Sequence, residues 1–497
     1  MILYLVEMYS KLKIHNKPLH HFLREHFVLV ILVAVAAFLR LYQLDTHGIF
    51  FFDTAHDLLA AQQSLQEGRL PLVGITSSRP WLHQGPLAIW IEMLIMLFFG
   101  TATLAQHIVF ALIGVAAVIG LYELVTVFFS RRAAYVAVAL LAVFPLAVAN
   151  SRMPYHTTPI PLATVLYLWS LCLLWNKFSL KYLIFALLSG VVLFQFELCN
   201  APLLLLIPYV FWRKKYQLSK KVIAFATLAG FVGLLPQLLF HVFGGSNQVF
   251  EFSKWLVTQI LERLQGGTAT IDTTAKTLQA FWVFGGRIFG VDVPILSIAG
   301  LVSLLSSSLY ILYKIFKNAS VPAVVELAGL GLWLLVAAYF LAGPPSEAYF
   351  PPFFICIPIL FSYVFVSLSK KLQLFGTGLI LIFMGITVYS IFTANFFVMN
   401  NRAFQYDSVG EKRAIARALA RRTANNPYQL KTAERAEVQF SAFFEHIEWL
   451  ALEEKIAGPS EVGKVYFLEK NSDPQPPETI LIQKFPTKTV YWHPERL

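Results

Sequence analysis

Apolar runs of membrane-spanning length recur about eleven times along this 497-residue chain, and short basic clusters punctuate them. A bilayer core about 30 Å thick requires roughly 20 apolar residues per helix. The first run is Phe27 to Tyr42. Others lie near 104–129, 132–149, 158–176, 181–198, 201–212, 222–241, 293–313, 322–342, 353–369 and 374–395. The 201–212 run is short and needs support from its neighbours. Such a pattern predicts an all-α polytopic membrane bundle and excludes an ordinary soluble enzyme.

The charge distribution adds a second unit. From residue 396 onward there are 14 Lys/Arg and 13 Asp/Glu, a globular composition, whereas the whole chain is only 13% charged. A soluble protein would carry about a quarter charged residues. The expected organisation is a basic leader over 1–26, a transmembrane domain over 27–395 and a small soluble α/β domain over 396–497. Residues 27–39 have the length of a signal-peptide core. Arg40 and the basic leader flank them and no cleavage site follows, so an uncleaved first helix is expected. Cys172, Cys199 and Cys356 sit in apolar segments, with neither disulfide nor zinc spacing. The net charge of +11 does not indicate nucleic acid, because the basic residues are scattered between apolar runs and form no continuous face.

Basic clusters orient the bundle. They occur at Lys11 to Arg24, Arg131/Arg132, Lys177/Lys181, Arg213 to Lys221, Lys314/Lys317 and Lys370/Lys371. With a cytoplasmic N-terminus all of them fall on the cytoplasmic side, and an odd number of spans puts the C-terminal domain outside the cell membrane. Pro86 to Phe99 is too short to span without inverting this order, so it reads as a juxtamembrane helix. Residues 44–103 and 242–290 then form two large external loops. The second carries Lys254, Arg263, Lys276 and Arg287 among aromatics and reads as interfacial helices. In the tail, helices are expected at Asp407 to Arg422 and Glu437 to Lys455. Strands are expected at Tyr428 to Thr432, Lys464 to Glu469, Thr479 to Lys484 and Thr489 to Trp492.

Ionisable residues are scarce in the apolar part, so each can be weighed. Asp53 and Asp57 are four apart at the start of a helical stretch and share a face, with His56 between them. Two carboxylates and an imidazole at a membrane surface suit proton abstraction. The alternative for Asp53 is a helix N-cap. Further along, Arg79 and His83 could contact a phosphate or serve as interfacial anchors beside Trp81. Arg152 supplies a permanent cation in the run Ser151 to Pro159, which also holds His156. Gln195 and Glu197 end one span. Glu197 is either a functional group or a helix-end residue. Glu347 and Tyr349 form a last external cluster, within Gly343 to Pro352.

The run Arg40-Leu41-Tyr42, Asp53 opening the first loop, Gly68-Arg69-Leu70-Pro71, Gly85-Pro86-Leu87, Ser151-Arg152 and the aromatic–proline run Tyr349 to Pro358 together resemble GT-C fold glycosyltransferases. The nearest groups are the protein O-mannosyltransferase-like and aminoarabinose-transferase-like families, a glycosyltransferase family 39-like group. The resemblance covers roughly residues 35–370. It implies a polyprenyl-phosphate sugar donor and a lipid, glycan or protein acceptor outside the cytoplasmic membrane. It also implies Asp53 as general base. Arg152, or failing that Arg79, would meet the charge of the leaving phosphate, with His56, Asp57, His83, His156, Gln195, Glu197 and Tyr349 as substrate contacts. Two departures stand out. Thr54 follows Asp53 where many relatives have a second acidic residue, and His156 and Thr157 fill a region where many have an aspartate. Both weaken the case for a metal-bound site, and dependence on a divalent metal (Mg or Mn) stays open. Two other functions fit the same polytopic chain, a transporter or flippase of a lipid-linked glycan and a non-catalytic envelope scaffold. The absence of internal symmetry argues against the transporter.

Overall fold

A computed structural model describes residues 26–50, 53–77, 79, 81–244, 247–266, 268–287, 294–317, 320–392, 408–431, 437–460, 464–470, 480–484 and 488–492. The basic leader lies outside the described residues. Every apolar run expected to span corresponds to helix. In order these are α1 (Phe27–Leu41), α5 (Thr103–Phe128), α6 (Arg131–Val143) with its continuation α7 (Pro145–Asn150), α8 (Ile160–Asn176) and α9 (Leu180–Phe196). A 3-10 segment (Leu198–Leu205) then runs into α10 (Leu206–Lys214), followed by α11 (Lys220–Phe243), α14 (Pro294–Phe316), α15 (Ala323–Ala342), α16 (Phe353–Ser367) and α17 (Lys370–Phe392). Four stretches, Thr103–Phe128, Lys220–Phe243, Ala323–Ala342 and Lys370–Tyr389, are long and apolar enough to cross a membrane on their own. Pro145 separates α6 from α7, because proline has no N–H to continue the ladder. Pro202 lies in the 3-10 segment, which with α10 makes one composite rod out of the short 201–212 run.

Two buried arginines tie α1 to α6 and its continuation α7. At the end of α1, Arg40 donates from Nη1 to Ala142 O (2.9 Å) and from Nη2 to Leu141 O (3.1 Å), satisfying the last carbonyls of α6. Arg152, just past α7, does the converse. Its Nη1 donates to Leu39 O (3.0 Å) and Arg40 O (3.3 Å), and its Nη2 to Tyr42 O (2.8 Å) and His47 O (3.4 Å). A cation at a helix C-terminus meets both the orphan carbonyls and the negative end of the dipole. The packing around them is close. A Cβ on Gly114 of α5 would lie 2.3 Å from Ser151 Oγ and 3.3 Å from Arg40 Nε.

The first loop contributes the short turn α2 (Leu44–His47), α3 (Thr54–Gln66) and α4 (Leu87–Phe99). Gly68 ends α3 in the left-handed region at φ +63°, which a residue with a Cβ adopts only at a cost. α4 buries Ile89, Glu92, Met93 and Met96 but leaves Leu94, Leu97, Phe98 and Phe99 more than half exposed. Such a one-sided apolar face suits a helix lying on a bilayer surface. The second large loop folds as α12 (Gln248–Gln265) and α13 (Thr268–Arg287). These also expose large apolar residues, Phe250, Val257 and Ile271 among them.

The C-terminal unit comprises α18 (Val409–Arg422), β1 (Tyr428–Lys431), α19 (Glu437–Glu454), β2 (Lys464–Lys470), β3 (Ile480–Lys484) and β4 (Lys488–Trp492). The sheet order is β1-β2-β4-β3. β1 and β2 are parallel, joined through α19 as a parallel pair requires, and β4 pairs antiparallel with both β2 and β3. Thr432 and Thr479, at the ends of two expected strands, lie outside the described residues. This unit does not have a core of its own. Leu419, Tyr428, Trp449, Tyr466 and Val490 bury themselves in one cluster with Phe50, Ala55, Leu58, Ile89 and Met93 of the first loop. At the junction, Trp449 Nε1 donates to Thr103 Oγ1 (2.8 Å), and Lys412 Nζ donates to Phe50 O (2.5 Å). The Val409 N–H donates to Gly48 O (3.0 Å).

Candidate active site

Asp53 occupies the N-cap position of α3, yet its side chain makes no capping hydrogen bond. The N-cap reading therefore does not describe it. Instead its Oδ2 accepts a hydrogen bond from the Tyr155 hydroxyl at 3.1 Å. The carboxyl is only partly buried. Burial raises its pKa above the ordinary carboxylate range, against the opposing pulls of His156, the Tyr155 hydrogen bond and His56, while Glu445 adds to the rise. A half-desolvated carboxylate with one phenolic donor is chemically available as a base.

Tyr155 leads to a second part of the site. Its ring lies 4.0 Å from that of His156, centroid to centroid. His156 is buried, and its Nε2 faces Glu197 Oε2 at 3.4 Å. Glu197, also buried, is the N-cap of the 3-10 segment and accepts from the Cys199 N–H (3.3 Å). Its Oε1 also accepts from Gln84 Nε2 at 2.9 Å, while Gln84 Oε1 accepts from the Leu198 N–H at 3.0 Å. Glu197 is thus a helix-end residue and a member of the polar network at once. Burial pulls the His156 imidazole down, but the hydrogen bond and charge of Glu197, with the charges of Asp57 and Asp53, outweigh it and raise its pKa.

Gln84 belongs to a ribbon in the first loop. Gly74 and Gln84 pair across it, with Gly74 N–H to Gln84 O at 2.8 Å and Gln84 N–H to Ile75 O at 2.9 Å, and Thr76 bridges His83. The Gly85 N–H then donates to Gln195 O at 2.9 Å. Arg79 is exposed at the tip of this ribbon. His83 faces the second loop: its backbone exchanges two 3.2 Å hydrogen bonds with the Gln248 side chain, and its ring packs on Phe240.

The remaining expected residues divide. Asp57 is buried on α3 and its Oδ1 has no partner. Burial pushes its carboxyl up to about 7, with His156 opposing and Asp53 adding to the rise. His56 turns outward, and its Nδ1 meets Glu445 Oε1 of the C-terminal unit at 3.3 Å; that hydrogen bond raises its pKa. Gln195 braces the bundle, donating from Nε2 to Gly233 O (2.9 Å) and Gln237 Oε1 (3.1 Å). Tyr349 packs beside Tyr339 and interacts with Cys199, next to Glu197. The Glu347 and Arg287 side chains lie outside the described residues. Arg152 requires a correction. Its guanidinium is fully buried and committed to four carbonyls, so it is not an exposed cation awaiting a phosphate.

Sequence reasoning assigned no role to Tyr155, Gln84, Glu92 or Glu445. Glu92 was the most legible, as the single carboxylate of the apolar run Leu87–Phe99. It is fully buried with both oxygens unpartnered, and burial, with the charge of Asp57, raises its pKa. Among the described residues no group of three or more His, Cys, Asp or Glu side chains is placed to share a metal ion.

The architecture matches known structures along nearly its whole length. ArnT from Cupriavidus metallidurans, in its crystal structure bound to undecaprenyl phosphate, superposes with a TM-score of 0.58 at 12% identity, covering 94% of this chain and 98% of that one. The apo form of the same protein gives 0.58 at 12% identity, over 93% and 97%. The Archaeoglobus fulgidus oligosaccharyltransferase in its apo form gives 0.47 at 13% identity, over 89% of this chain and 69% of that one. The fold is the GT-C fold of membrane glycosyltransferases. Within that class, residues 83–240, about a third of the chain, match the dolichyl-phosphate-mannose-protein mannosyltransferase family. No curated protein matches the chain significantly in sequence.

Proposed function

We propose that this protein transfers a sugar from a polyprenyl-phosphate-linked donor to a lipid, glycan or protein acceptor at the outer face of the cell membrane, with Asp53 as the general base. The observation that carries the reading is Asp53 itself. Placed where an aspartate would cap a helix, its carboxylate points to Tyr155 and lies within the field of His156 instead. ArnT, whose fold this chain shares, binds undecaprenyl phosphate. In the proposed reaction Asp53 takes the proton of the acceptor hydroxyl as its oxygen attacks the anomeric carbon. The bond from that carbon to the phosphate oxygen breaks, and its electron pair leaves with the lipid phosphate.

The two ends of the bundle support the proposed orientation. Asp53, Tyr155, His156 and Glu197 lie at one end. Arg131 beside Tyr135, Lys214 over Trp175, and Arg213 paired with Glu326 (3.1 Å) lie at the other. Basic residues collected at one end support a cytoplasmic side there, with eleven crossings, a cytoplasmic N-terminus and the C-terminal unit outside.

The test is Asp53→Asn in membranes supplied with radiolabelled polyprenyl-phosphate sugars. Transfer should fall by at least about a hundredfold, the usual share of a general base. Undiminished transfer by the variant would remove Asp53 from the chemistry, and no transfer by wild type from any such donor would refute the enzymatic reading.

A further inference from the structure

With Arg152 spent on helix carbonyls, another group must meet the charge of a leaving phosphate. We propose that the imidazole of His156, held at Nε2 by the Glu197 carboxylate, binds the phosphate of the lipid-linked donor through its Nδ1–H. The proposal rests on the functional reading above.

The geometry supports it from both sides of the ring. Glu197 is buried, and its Oε1 takes Gln84 Nε2 and the Cys199 N–H, which leaves Oε2 directed at His156. Those two donors carry no net charge. A buried carboxylate is costly without a countercharge, and among the described residues His156 is the one cationic group that contacts it. The pair is therefore most stable as imidazolium and carboxylate. An imidazolium donates from both nitrogens. Nδ1 is buried and has no partner among the described residues, a cost that an incoming acceptor relieves. The Tyr155 ring, tilted against the imidazole, places this donor beside the tyrosine that holds Asp53. Base and anion-binding group are thus joined through one tyrosine. Unlike a guanidinium, this group can be switched off by pH, since Asp53, Asp57 and Glu197 are the charges that set its proton affinity.

The experiment measures affinity of the purified full-length protein in detergent for undecaprenyl monophosphate from pH 5.5 to 9, by intrinsic tryptophan fluorescence. Wild-type affinity should be highest at low pH and fall as pH rises through the raised His156 pKa. His156→Gln should bind at least about tenfold more weakly at pH 6 and lose the pH dependence. Glu197→Gln, which keeps the imidazole but removes its countercharge, should move the fall to lower pH. Asp53→Asn should still bind. Binding by His156→Gln with the wild-type affinity and pH profile overturns the assignment of His156 alone. Absence of binding by wild type at every pH overturns the lipid-phosphate donor as well. Inorganic phosphate is the parallel arm, and equal affinity for it and for the lipid overturns the lipid assignment.

Discussion

At the scale of single residues, the site depends on how buried carboxyls share few donors. Tyr155→Phe removes the tyrosine hydrogen bond to the Asp53 carboxyl and with it a preference for the ionised form. A hydrogen bond to a charged group is worth roughly 1.5–3 kcal/mol, so the loss should move the acid limb of the transfer rate up by about one pH unit. The sign follows from the role: a base must be deprotonated, so activity falls as pH drops through its pKa. Full pH–rate profiles of wild type and Tyr155→Phe check this shift. Asp57 makes a separate prediction. Its folded pKa of about 7 lies above the ordinary 3.8, so the folded state loses stability as pH rises from about 4 to about 7. Asp57→Asn removes that penalty. At pH 8 it should stabilise the protein by about 1–3 kcal/mol, and at pH 4 by almost nothing, as read by thermal unfolding in detergent.

At the scale of elements, the ribbon from Gly74 to Gly85 holds the network together. It carries Gln84 to Glu197 and abuts Gln195 through Gly85. A Cβ on Gly85 would lie 1.7 Å from Gln195 Oε1 and 2.6 Å from Gln195 O, so one of the two must move. Gly85→Ala should therefore lower transfer by roughly tenfold or more through displacement of Gln84 and Glu197, with the helical circular dichroism unchanged. Of this element the sequence offered Arg79 and His83 as candidate contacts and Gly85-Pro86-Leu87 as part of the resemblance, but not its pairing. The helices were legible in detail, because apolar runs of that length have few other structures available in a membrane. The boundaries expected for the tail's α18, α19 and its four strands agree with the structure to within two residues at each described end. The ribbon was not legible, because its pairing partners lie across loops and nothing in local periodicity records them.

For the whole molecule, the C-terminal unit and the first loop are one packed body. Trp449 is fully buried between them, and its indole N–H donates to Thr103 Oγ1. Glu453 accepts from both the backbone and the hydroxyl of the same threonine, at 2.9 and 2.8 Å. Trp449→Ala should cost about 3–5 kcal/mol, as large aromatic deletions do. It should also make the tail cleavable by added protease while the membrane helices stay protected; equal protease resistance in the variant would contradict the shared core. Composition predicted a separate soluble domain after residue 396, and the globular composition is real, but its interior includes Phe50, Leu58 and Met93 from far earlier in the chain.

By itself the sequence determined the helical membrane architecture and the presence of an α/β tail, because apolar length and charge density are local properties. Only the tertiary structure decided where the cationic side chains of the run Ser151 to Pro159 come to lie. Arg152 and His156 are four residues apart and equally conspicuous as text. Folding buries the guanidinium against the carbonyl ends of α1 and the imidazole between Glu197 and the Tyr155 ring. Hydrogen-bond partners come from segments more than a hundred residues away in the one case and about forty in the other. No local pattern encodes that allocation, since it depends on where distant backbone carbonyls and carboxylates are left unsatisfied once the helices have packed.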